Sequence, residues 1–327
     1  MMGRLVRTLA VSIALALTQG GTSHAADTIR LAVQKTGTFS WELAAIRDQG
    51  LDKAANLSLE VTELASTEAG KIAMRAGNAD IMLSDWLWVS RERALGAKLT
   101  FYPYSSALGA VMVPASSPIK TLADLKGRKL GVAGGAIDKS WLLLQARMKQ
   151  DGIDLKSDAS IVYGAPPLLA AKALDEEMDA SLNFWNFCAQ LEAKGFRRLA
   201  GIEEILPNLG AKGPVAAVGY VFDEGWAASH RDVVARFIAM TRKAKELLTT
   251  SDAAWEKVAP LTGTSDPALL QAYRNRYRDG IPHRNIDDEE ADARVLYRVL
   301  AEVGGRELVG PAPELDPGTF YHAPGGD

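Results

Sequence analysis

The sequence predicts an α/β protein of two similar lobes, each with a mostly parallel sheet flanked by helices. Three observations carry this prediction. Strands alternate with helices along the chain, a similar order of elements recurs in the second half, and both halves share a landmark of helix, short turn, aspartate and apolar strand. The landmark aspartates are Asp80 and Asp179. Alternating strands and helices form βαβ units, in which strands pair in parallel, so we expect two such sheets.

The elements of the first half follow from hydrophobic periodicity and from chain breakers. We predict strands at 28–33, 57–64 and 80–83, with helices at 40–55 and 65–76 between them. Gly77 and Asn78 end the second helix before the third strand. Helical spacing of apolar residues and strand alternation distinguish the two kinds of element.

The second half repeats this order and then becomes mostly helical. We predict strands at 129–132, 160–163 and 179–182, and helices at 138–150 and 168–177. Two longer helices follow at 229–248, with Ser229 and Asp232 as a cap pair, and at 287–303, ended by Gly304 and Gly305. Prolines and glycines in the last residues predict a poorly ordered end.

The N-terminus predicts export through a cleavable signal peptide at residues 1–25. Arg4 and Arg7 precede a short apolar run at 9–17, and Ser23-His24-Ala25 forms a small-x-small cleavage site. The run is too short to span a bilayer, and the alternative is a buried N-terminal helix. Cys188 is the single cysteine of the chain, so no cysteine near the cleavage site is available for a lipid anchor.

Composition is that of an ordinary globular protein with no nucleic-acid partner. Of the 327 residues 47% are hydrophobic and 24% charged, and the formal net charge is −3. No basic stripe interrupts this mild acidity, which argues against nucleic-acid binding. We expect a soluble monomer located in the periplasm and not anchored to lipid.

The segment 117–132 is the most informative part of the sequence. Thr121 is placed to cap a short helix with Asp124 as a capping-box partner, and Gly127 is placed to end it. An apolar strand then runs directly into Gly134 and Gly135 and a new helix. A strand that feeds a glycine turn and a helix N-terminus is where open α/β sheets bind ligands.

This segment resembles the beginning of the second lobe in periplasmic substrate-binding proteins of nitrate/sulfonate/taurine-type ABC importers. The resemblance implies a type II periplasmic binding protein fold with a two-strand hinge. Lobe one would comprise residues 26–114 and 216–327, and lobe two residues 115–215. It also implies capture of a small organic solute in the interlobe cleft, with an inner-membrane permease and its ATPase as partners. We expect neither cofactor nor metal, because His230, His283 and His322 have no metal-ligand spacing with each other or with Cys188.

In this fold the ligand contacts come from turns at the carboxyl ends of the strands. From lobe one we expect Thr36, Phe39, Ser40, Trp41, Ser66, Thr67, Asp85 and Trp86. From lobe two we expect Gly135, Ala136, Asp138, Trp141, Asn183 and Trp185. With Trp88, which follows Trp86 in the same turn, five of the seven tryptophans lie in these turns. Such a cluster suits an organic, aromatic or cationic ligand.

The charge of the ligand stays open at this point. Helix N-termini favour an anion, and so does the resemblance, because sulfonates and nitrate dominate the family. Asp85 and Asp138 lie at the same turns, however, where they either cap helices or oppose an anion in the cleft. The sequence departs from the family pattern at Trp185-Asn186-Phe187, where many members have a proline.

Two other function classes remain as alternatives. A periplasmic sensor module would use the same closure but dock on a receptor instead of a permease. Pyrimidine synthases that make a thiamine precursor share the fold, but that resemblance implies a cysteine-rich segment and iron. The single cysteine, the predicted signal peptide and the absence of a G-x-S-x-G motif argue against an enzyme.

Overall fold

A computed structural model describes residues 25–35 and 37–323 of the chain. The predicted signal peptide, apart from Ala25, and the predicted ligand contact Thr36 lie outside these residues. Among the helices of the described ranges, none is both long enough and apolar enough to cross a membrane.

The first sheet has five strands in the order β2-β1-β3-β10-β4. Their bounds are β1 (Asp27–Gln34), β2 (Leu57–Leu64), β3 (Ile81–Ser84), β4 (Leu99–Ser105) and β10 (Val218–Asp223). β1 pairs in parallel with β2 and β3, whereas β10 is antiparallel to β3 and β4. The three strands predicted in the first half are present, while β4 and β10 were not predicted.

The second sheet repeats this arrangement in the order β7-β6-β8-β5-β9. Its strands are β5 (Gly109–Pro114), β6 (Lys129–Ala133), β7 (Ser160–Gly164), β8 (Ala180–Phe184) and β9 (Phe196–Gly201). β6 is parallel to β7 and β8, and β5 is antiparallel to β8 and β9. Both sheets are therefore mixed, and the predicted two-lobed α/β fold is confirmed.

The shared aspartate landmark has the same structural role in both lobes. Asp80 accepts a hydrogen bond from the backbone N–H of Arg30 at 2.8 Å, and its own N–H donates to the Arg30 carbonyl at 2.8 Å. Asp179 does the same with Lys129 at 2.7 and 3.0 Å. Asp80 thus fixes β3 against β1, and Asp179 fixes β8 against β6.

The chain crosses between the lobes twice, and one crossing differs from the expectation. We expected residues up to 114 in lobe one, but β5 forms its hydrogen bonds within the second sheet. The first crossing therefore lies between Ser105 and Gly109, because β4 is the last strand in the first sheet before it. The chain returns between Gly201 and Val218, a range that includes the predicted boundary at 215.

Helices cover both sheets. In the first half they are α1 (Phe39–Asp48), α2 (Leu51–Ala54), α3 (Thr67–Arg75) and α4 (Trp86–Ala94). The second lobe contains α5 (Lys139–Gln150), α6 (Leu155–Asp158), α7 (Pro166–Leu174), α8 (Trp185–Ala193) and α9 (Ile202–Ile205). The C-terminal third contains α10 (Glu224–Ser229), α11 (Arg231–Thr250), α12 (Asp252–Val258), α13 (Pro267–Asp279) and α14 (Ile286–Val309). Short 3₁₀ helices occupy Leu122–Leu125, Leu206–Leu209 and Ala259–Thr262.

Local backbone chemistry explains where the helices differ from prediction. The helix expected at 40–55 is divided into α1 and α2 because Gly50 adopts a left-handed conformation with φ 61°. Ser229 does not cap α11, because its hydroxyl donates back to carbonyls of α10, and His230 is the N-cap residue. The last helix continues beyond Gly304, with a kink at Gly305.

The C-terminal segment packs against lobe one, contrary to the expectation of a poorly ordered end. Phe320 is buried and forms a parallel bridge with Phe101 at the free edge of β4. The backbone N–H of Phe101 donates to the Thr319 carbonyl at 2.8 Å, and that of Tyr321 donates to Phe101 at 2.8 Å. The edge strand is thereby covered, which removes an exposed row of unpaired backbone groups. Residues 324–327 lie outside the described part.

Candidate functional site

A cavity of about 800 Å³ lies between the two lobes at the carboxyl ends of their parallel strands. Both lobes contribute side chains to its wall, which is the arrangement expected of a ligand cleft at the end of an α/β sheet. Its aromatic lining residues are Phe39, Tyr104, Phe184, Trp185 and Phe187. Its main polar lining residues are Gln34, Thr38, Ser66, Thr67, Ser84, Asp85, Asp138, Lys139, Ser140 and Asn186. The site is therefore an aromatic chamber with a few polar and charged groups.

An ion pair bridges the lobes across this cavity. Asp85 belongs to lobe one and Lys139 to lobe two, and the ammonium Nζ lies 3.3 Å from the carboxylate Oδ2. Burial alone would raise the pKa of Asp85, but Lys139 and the backbone N–H of Trp88, which donates at 2.8 Å, lower it below its usual value. In turn Asp85 raises the pKa of Lys139. Both groups are thus held in their charged forms.

Asp138 is the second carboxylate of the cavity. It is the N-cap residue of α5 and accepts a hydrogen bond from the Trp141 N–H at 3.2 Å. Its pKa is raised, because burial outweighs the backbone hydrogen bonds and the charge of Lys139. Among the described residues no cationic side chain forms an ion pair with Asp138. Its carboxylate is therefore poorly compensated compared with that of Asp85.

A buried ionic network supports the lobe-one wall from behind. Glu42 on α1 accepts a hydrogen bond from the Lys245 ammonium at 2.6 Å and another from the Tyr220 hydroxyl at 2.5 Å. The same ammonium lies 4.4 Å from the centre of the Tyr104 ring. Tyr104 lines the cavity, and its hydroxyl donates to Thr38 Oγ1 at 2.9 Å. The network therefore fixes an aromatic ring that faces the ligand space.

Six of the residues predicted to contact a ligand line the cavity: Phe39, Ser66, Thr67, Asp85, Asp138 and Trp185. Ser66 also caps α3 through the Ala69 N–H at 3.3 Å. The predicted turns of both lobes therefore do converge on one space. Their part in binding stays a prediction.

The other predicted contacts within the described residues lie outside the cavity lining. They are Ser40, Trp41, Trp86, Gly135, Ala136, Trp141 and Asn183. The Ser40 hydroxyl donates to the Gly37 carbonyl, and Asn183 bonds its side chain to the backbone of Pro166 and Phe184. Both side chains are thus used to shape turns. Gly135 and Ala136 lie in the loop before α5, which reaches the cavity only at Asp138.

The three tryptophans in this second group are core residues. Trp141 is fully buried in lobe two, where its indole N–H donates to the Tyr163 hydroxyl at 3.2 Å. Trp86 packs against Tyr297 of α14. Trp41 lies behind the wall, in edge-to-face contact with Trp185 at 6.0 Å between ring centres. Trp41 therefore supports a lining residue without reaching the cavity itself.

Sequence reasoning missed Ser84, Tyr104 and Lys139. The position of Lys139 directly after the N-cap residue Asp138 could have predicted it, because the first residues of a helix that follows a strand lie at the cleft. Ser84 ends β3 and is buried, with no hydrogen-bond partner for its hydroxyl among the described residues. Tyr104 lies on β4, which was not predicted, so no sequence signal placed it.

Groups for metal or thiol chemistry are absent from the part of the cavity that the structure describes. No cluster of three potential metal ligands occurs among the described residues. Cys188 is buried outside the cavity, and burial raises the pKa of its thiol to about 12. The lining residues include neither histidine nor cysteine.

Comparison with known proteins identifies the family and the fold. The model of the NMT1/THI5-like family matches residues 43–252, more than half of the chain. No curated protein matches the sequence.

Solved structures with the same architecture include binding proteins and an enzyme. The periplasmic aliphatic sulphonate binding protein SsuA from Escherichia coli superposes with a TM-score of 0.71 at 20% identity, over 91% of this chain and 92% of that one. The alkanesulfonate-binding protein SsuA from Xanthomonas axonopodis pv. citri, bound to MOPS, gives 0.64 at 18% identity, over 90% and 98%. The desulfurization enzyme DSZB gives 0.59 at 18% identity, over 85% and 92%. These matches confirm the predicted periplasmic-binding-protein fold.

Proposed function

The chain belongs to the NMT1/THI5-like family, and we propose that it is the solute-binding component of an ABC importer. It captures a small organic solute in the interlobe cleft, closes on it and presents the closed form to a membrane permease whose ATPase drives uptake. Sulfonate-binding proteins with the same fold support this role. We further propose that the protein acts in the periplasm as a monomer, without a lipid anchor.

The observation that carries the proposal is the cavity itself. Its volume of about 800 Å³ is in the range of small-molecule sites, and it is lined by residues of both lobes. Within the described residues two chain segments cross between the sheets, at 106–108 and 202–217, so a hinge movement can open and close the cleft. The ion pair between Asp85 and Lys139 joins the lobes directly at the cavity.

The character of the lining favours binding over catalysis. Asp85 is neutralised by Lys139, and Asp138 caps a helix, so no lining group within the described residues is paired as a nucleophile with a base. The single thiol is buried and its pKa is about 12, which leaves almost no thiolate at neutral pH. Affinity would come from aromatic faces and a few hydrogen bonds in a cleft that loses water on closing.

A thermal-melt screen tests this function. Purified protein, shown by native mass spectrometry to carry no bound solute, is melted with sulfonates, nitrate, aromatic acids, pyrimidines and amines. A ligand at about one hundred times its Kd adds roughly 2.7 kcal/mol, enough for a shift of several degrees.

Two tryptophan substitutions on one helix identify the cleft as the site. Thr67→Trp places a large ring at the cavity wall, whereas Ile72→Trp places it on the exposed side of α3, where Ile72 is 65% exposed. We expect the ligand-induced shift to disappear in the first variant and to persist in the second. A flat profile across the panel, or a shift that Thr67→Trp leaves intact, would overturn the proposed function.

A further inference from the structure

The described lining of the cavity carries more negative than positive charge. Of the described residues that line it, Asp85, Asp138 and Lys139 carry charge, and no arginine is among them. Two carboxylates therefore share the lining with one ammonium, and the charge of Lys71, an ammonium outside the lining that is paired with Glu68, also acts on Asp85. In a cleft that excludes water on closing, a net negative charge repels an anion and attracts a cation.

The single cation of the lining is already engaged. The Lys139 ammonium lies 3.3 Å from Asp85, and the pair spans the two lobes. An anionic solute that used Lys139 would compete with Asp85 and leave that carboxylate without its partner. Removing one member of a desolvated charge pair is strongly unfavourable. We therefore interpret Lys139 as a contact between the two lobes, and an anionic solute would have to break that contact in order to bind it.

Asp138 has the opposite situation, because no cationic side chain among the described residues forms an ion pair with it, and the ammonium of Lys139, which is paired with Asp85, acts on it only through its charge. Its carboxylate is compensated by backbone N–H groups at the start of α5, those of Trp141 and Ser140. Burial raises the pKa of Asp138, which means that its ionised form is incompletely solvated. A positively charged group of the solute would supply the missing compensation.

Two further features of the lining fit a cationic nitrogen. The Ser84 side chain is buried, with 4% exposure, and its hydroxyl has no partner among the described residues, so it is available to a polar group of the solute. Five aromatic rings line the same cavity. Their negative faces attract cations, and this attraction increases when the cation is desolvated.

The strongest opposing feature is the N-terminus of α8. This helix begins at Trp185 on the cavity wall and has no side-chain cap, so its first N–H groups favour an anion. A helix N-terminus carries the equivalent of about half an elementary charge. The N-termini of α1 and α3 also lie at the wall, the first without a side-chain cap and the second capped by the neutral hydroxyl of Ser66. The N-termini of α4 and α5 are capped by the carboxylates of Asp85 and Asp138, and the full charge of Asp138 opposes an anion more strongly than the partial charge of any one uncapped terminus attracts it.

We propose that the cleft selects solutes that carry a cationic nitrogen, which is bound by the carboxylate of Asp138 with the aromatic wall around it. This inference rests on the proposed function and specifies its substrate class. It departs from the sulfonate ligands named for the structural relatives.

Matched compounds that differ in one charged group test the selectivity. Calorimetric titrations of the full chain use benzylamine, benzyl alcohol and phenylmethanesulfonate, and in parallel 2-aminoethanesulfonate against ethanesulfonate. We expect each amine to bind at least about tenfold more tightly than its counterpart without the nitrogen, since an uncompensated buried charge costs this much or more. Tighter binding of phenylmethanesulfonate than of benzylamine would overturn the charge assignment while supporting solute capture. Absence of binding by every compound, with a flat profile in the thermal screen, would overturn both.

Conservative variants separate the charge effect from folding. Asp138→Asn keeps a good helix cap and removes the charge, so we expect amine affinity to fall at least about tenfold while benzyl alcohol is unaffected. Asp223→Asn is the matched control, because Asp223 caps α10 through the Trp226 N–H, away from the cavity. Asp85→Asn releases Lys139 and should shift the preference towards phenylmethanesulfonate. Unchanged amine affinity in Asp138→Asn would contradict the proposal.

Discussion

Replacement of Lys245 by methionine tests how the lobe-one wall is held. Glu42 is 0% exposed and Lys245 is 6% exposed, and their charged atoms lie 2.6 Å apart. Lys245→Met leaves the Glu42 carboxylate buried with Tyr220 as its remaining strong partner. Breaking such a pair costs about 3–5 kcal/mol of unfolding free energy. At about 2 °C per kcal/mol for a large domain, the melting temperature should fall by about 6–10 °C.

The double variant Glu42→Gln/Lys245→Met isolates the charge contribution. It has no buried charge, and the glutamine can still accept the hydrogen bond from Tyr220. We expect it to be more stable than Lys245→Met alone, measured as free energy of unfolding in urea. Lys243→Met, an exposed position on the same helix, is the control and should change stability by less than about 0.5 kcal/mol. If the double variant loses as much unfolding free energy as the two single variants lose together, Lys245 does not act by compensating the charge of Glu42.

Three further predictions concern the cleft and the thiol. Trp185→Ala should weaken binding of any solute found in the screen by at least about tenfold. Trp226→Ala, which removes a half-buried ring outside the cavity lining, is the control and should leave the affinity unchanged. Equal affinity of the two variants for the solute would remove Trp185 from the site. Cys188 should resist iodoacetamide at pH 8 in the native protein and react once urea unfolds it, because burial raises the pKa of its thiol to about 12. Mass spectrometry measures the labelling, and fast labelling of the native protein would contradict the buried position of Cys188. The lowered pKa of Asp85 means that its contribution to stability is present above its unfolded value, about 3.9, and is lost as the pH falls through the folded value. The stability difference between wild type and Asp85→Asn should therefore shrink on acidification below about pH 4, and a difference that stays constant in urea titrations from pH 7 to 3 would refute this.

The fold was predictable because its signals are local. Strands β1, β2, β3, β6, β7 and β8 have apolar patterns bounded by turn residues, and Asp80 and Asp179 mark equivalent junctions in the two halves. β4, β5, β9 and β10 were missed. These strands pair antiparallel around the two crossings, so their partners are distant in the sequence.

The candidate site was predictable at the level of turns but not of individual side chains. Asp138, Lys139, Ser140 and Trp141 follow one another at the start of α5, yet the first three line the cavity and Trp141 faces the core. Which side of a helical turn faces the cleft depends on how α5 packs against its sheet. A tryptophan at a strand end therefore indicates a ligand contact only when its orientation is known.

Two acidic residues of α14 show a limit of the same kind. The sequence 287–290 is typical of an acidic first helical turn, but Glu289 is buried and accepts a hydrogen bond from the Ala216 N–H at 2.8 Å. Asp292 accepts from the backbone of Lys212 and pairs with Arg284 at 2.8 Å. Both carboxylates thus hold the segment by which the chain returns to lobe one. These contacts join residues more than seventy positions apart in the sequence, and no local pattern encodes them.

Lobe closure on a bound solute is the central claim, and a distance measurement between spin labels tests it most directly. Labels at Ile72→Cys on lobe one and Ile137→Cys on lobe two use two exposed positions, 65% and 43% exposed, and Cys188 is too deeply buried to be labelled. Double electron–electron resonance is recorded without solute and with the compound that raises the melting temperature most. We expect a broad distribution without solute and a narrower one at shorter distance when it is bound. An identical distribution at saturation would contradict capture by closure.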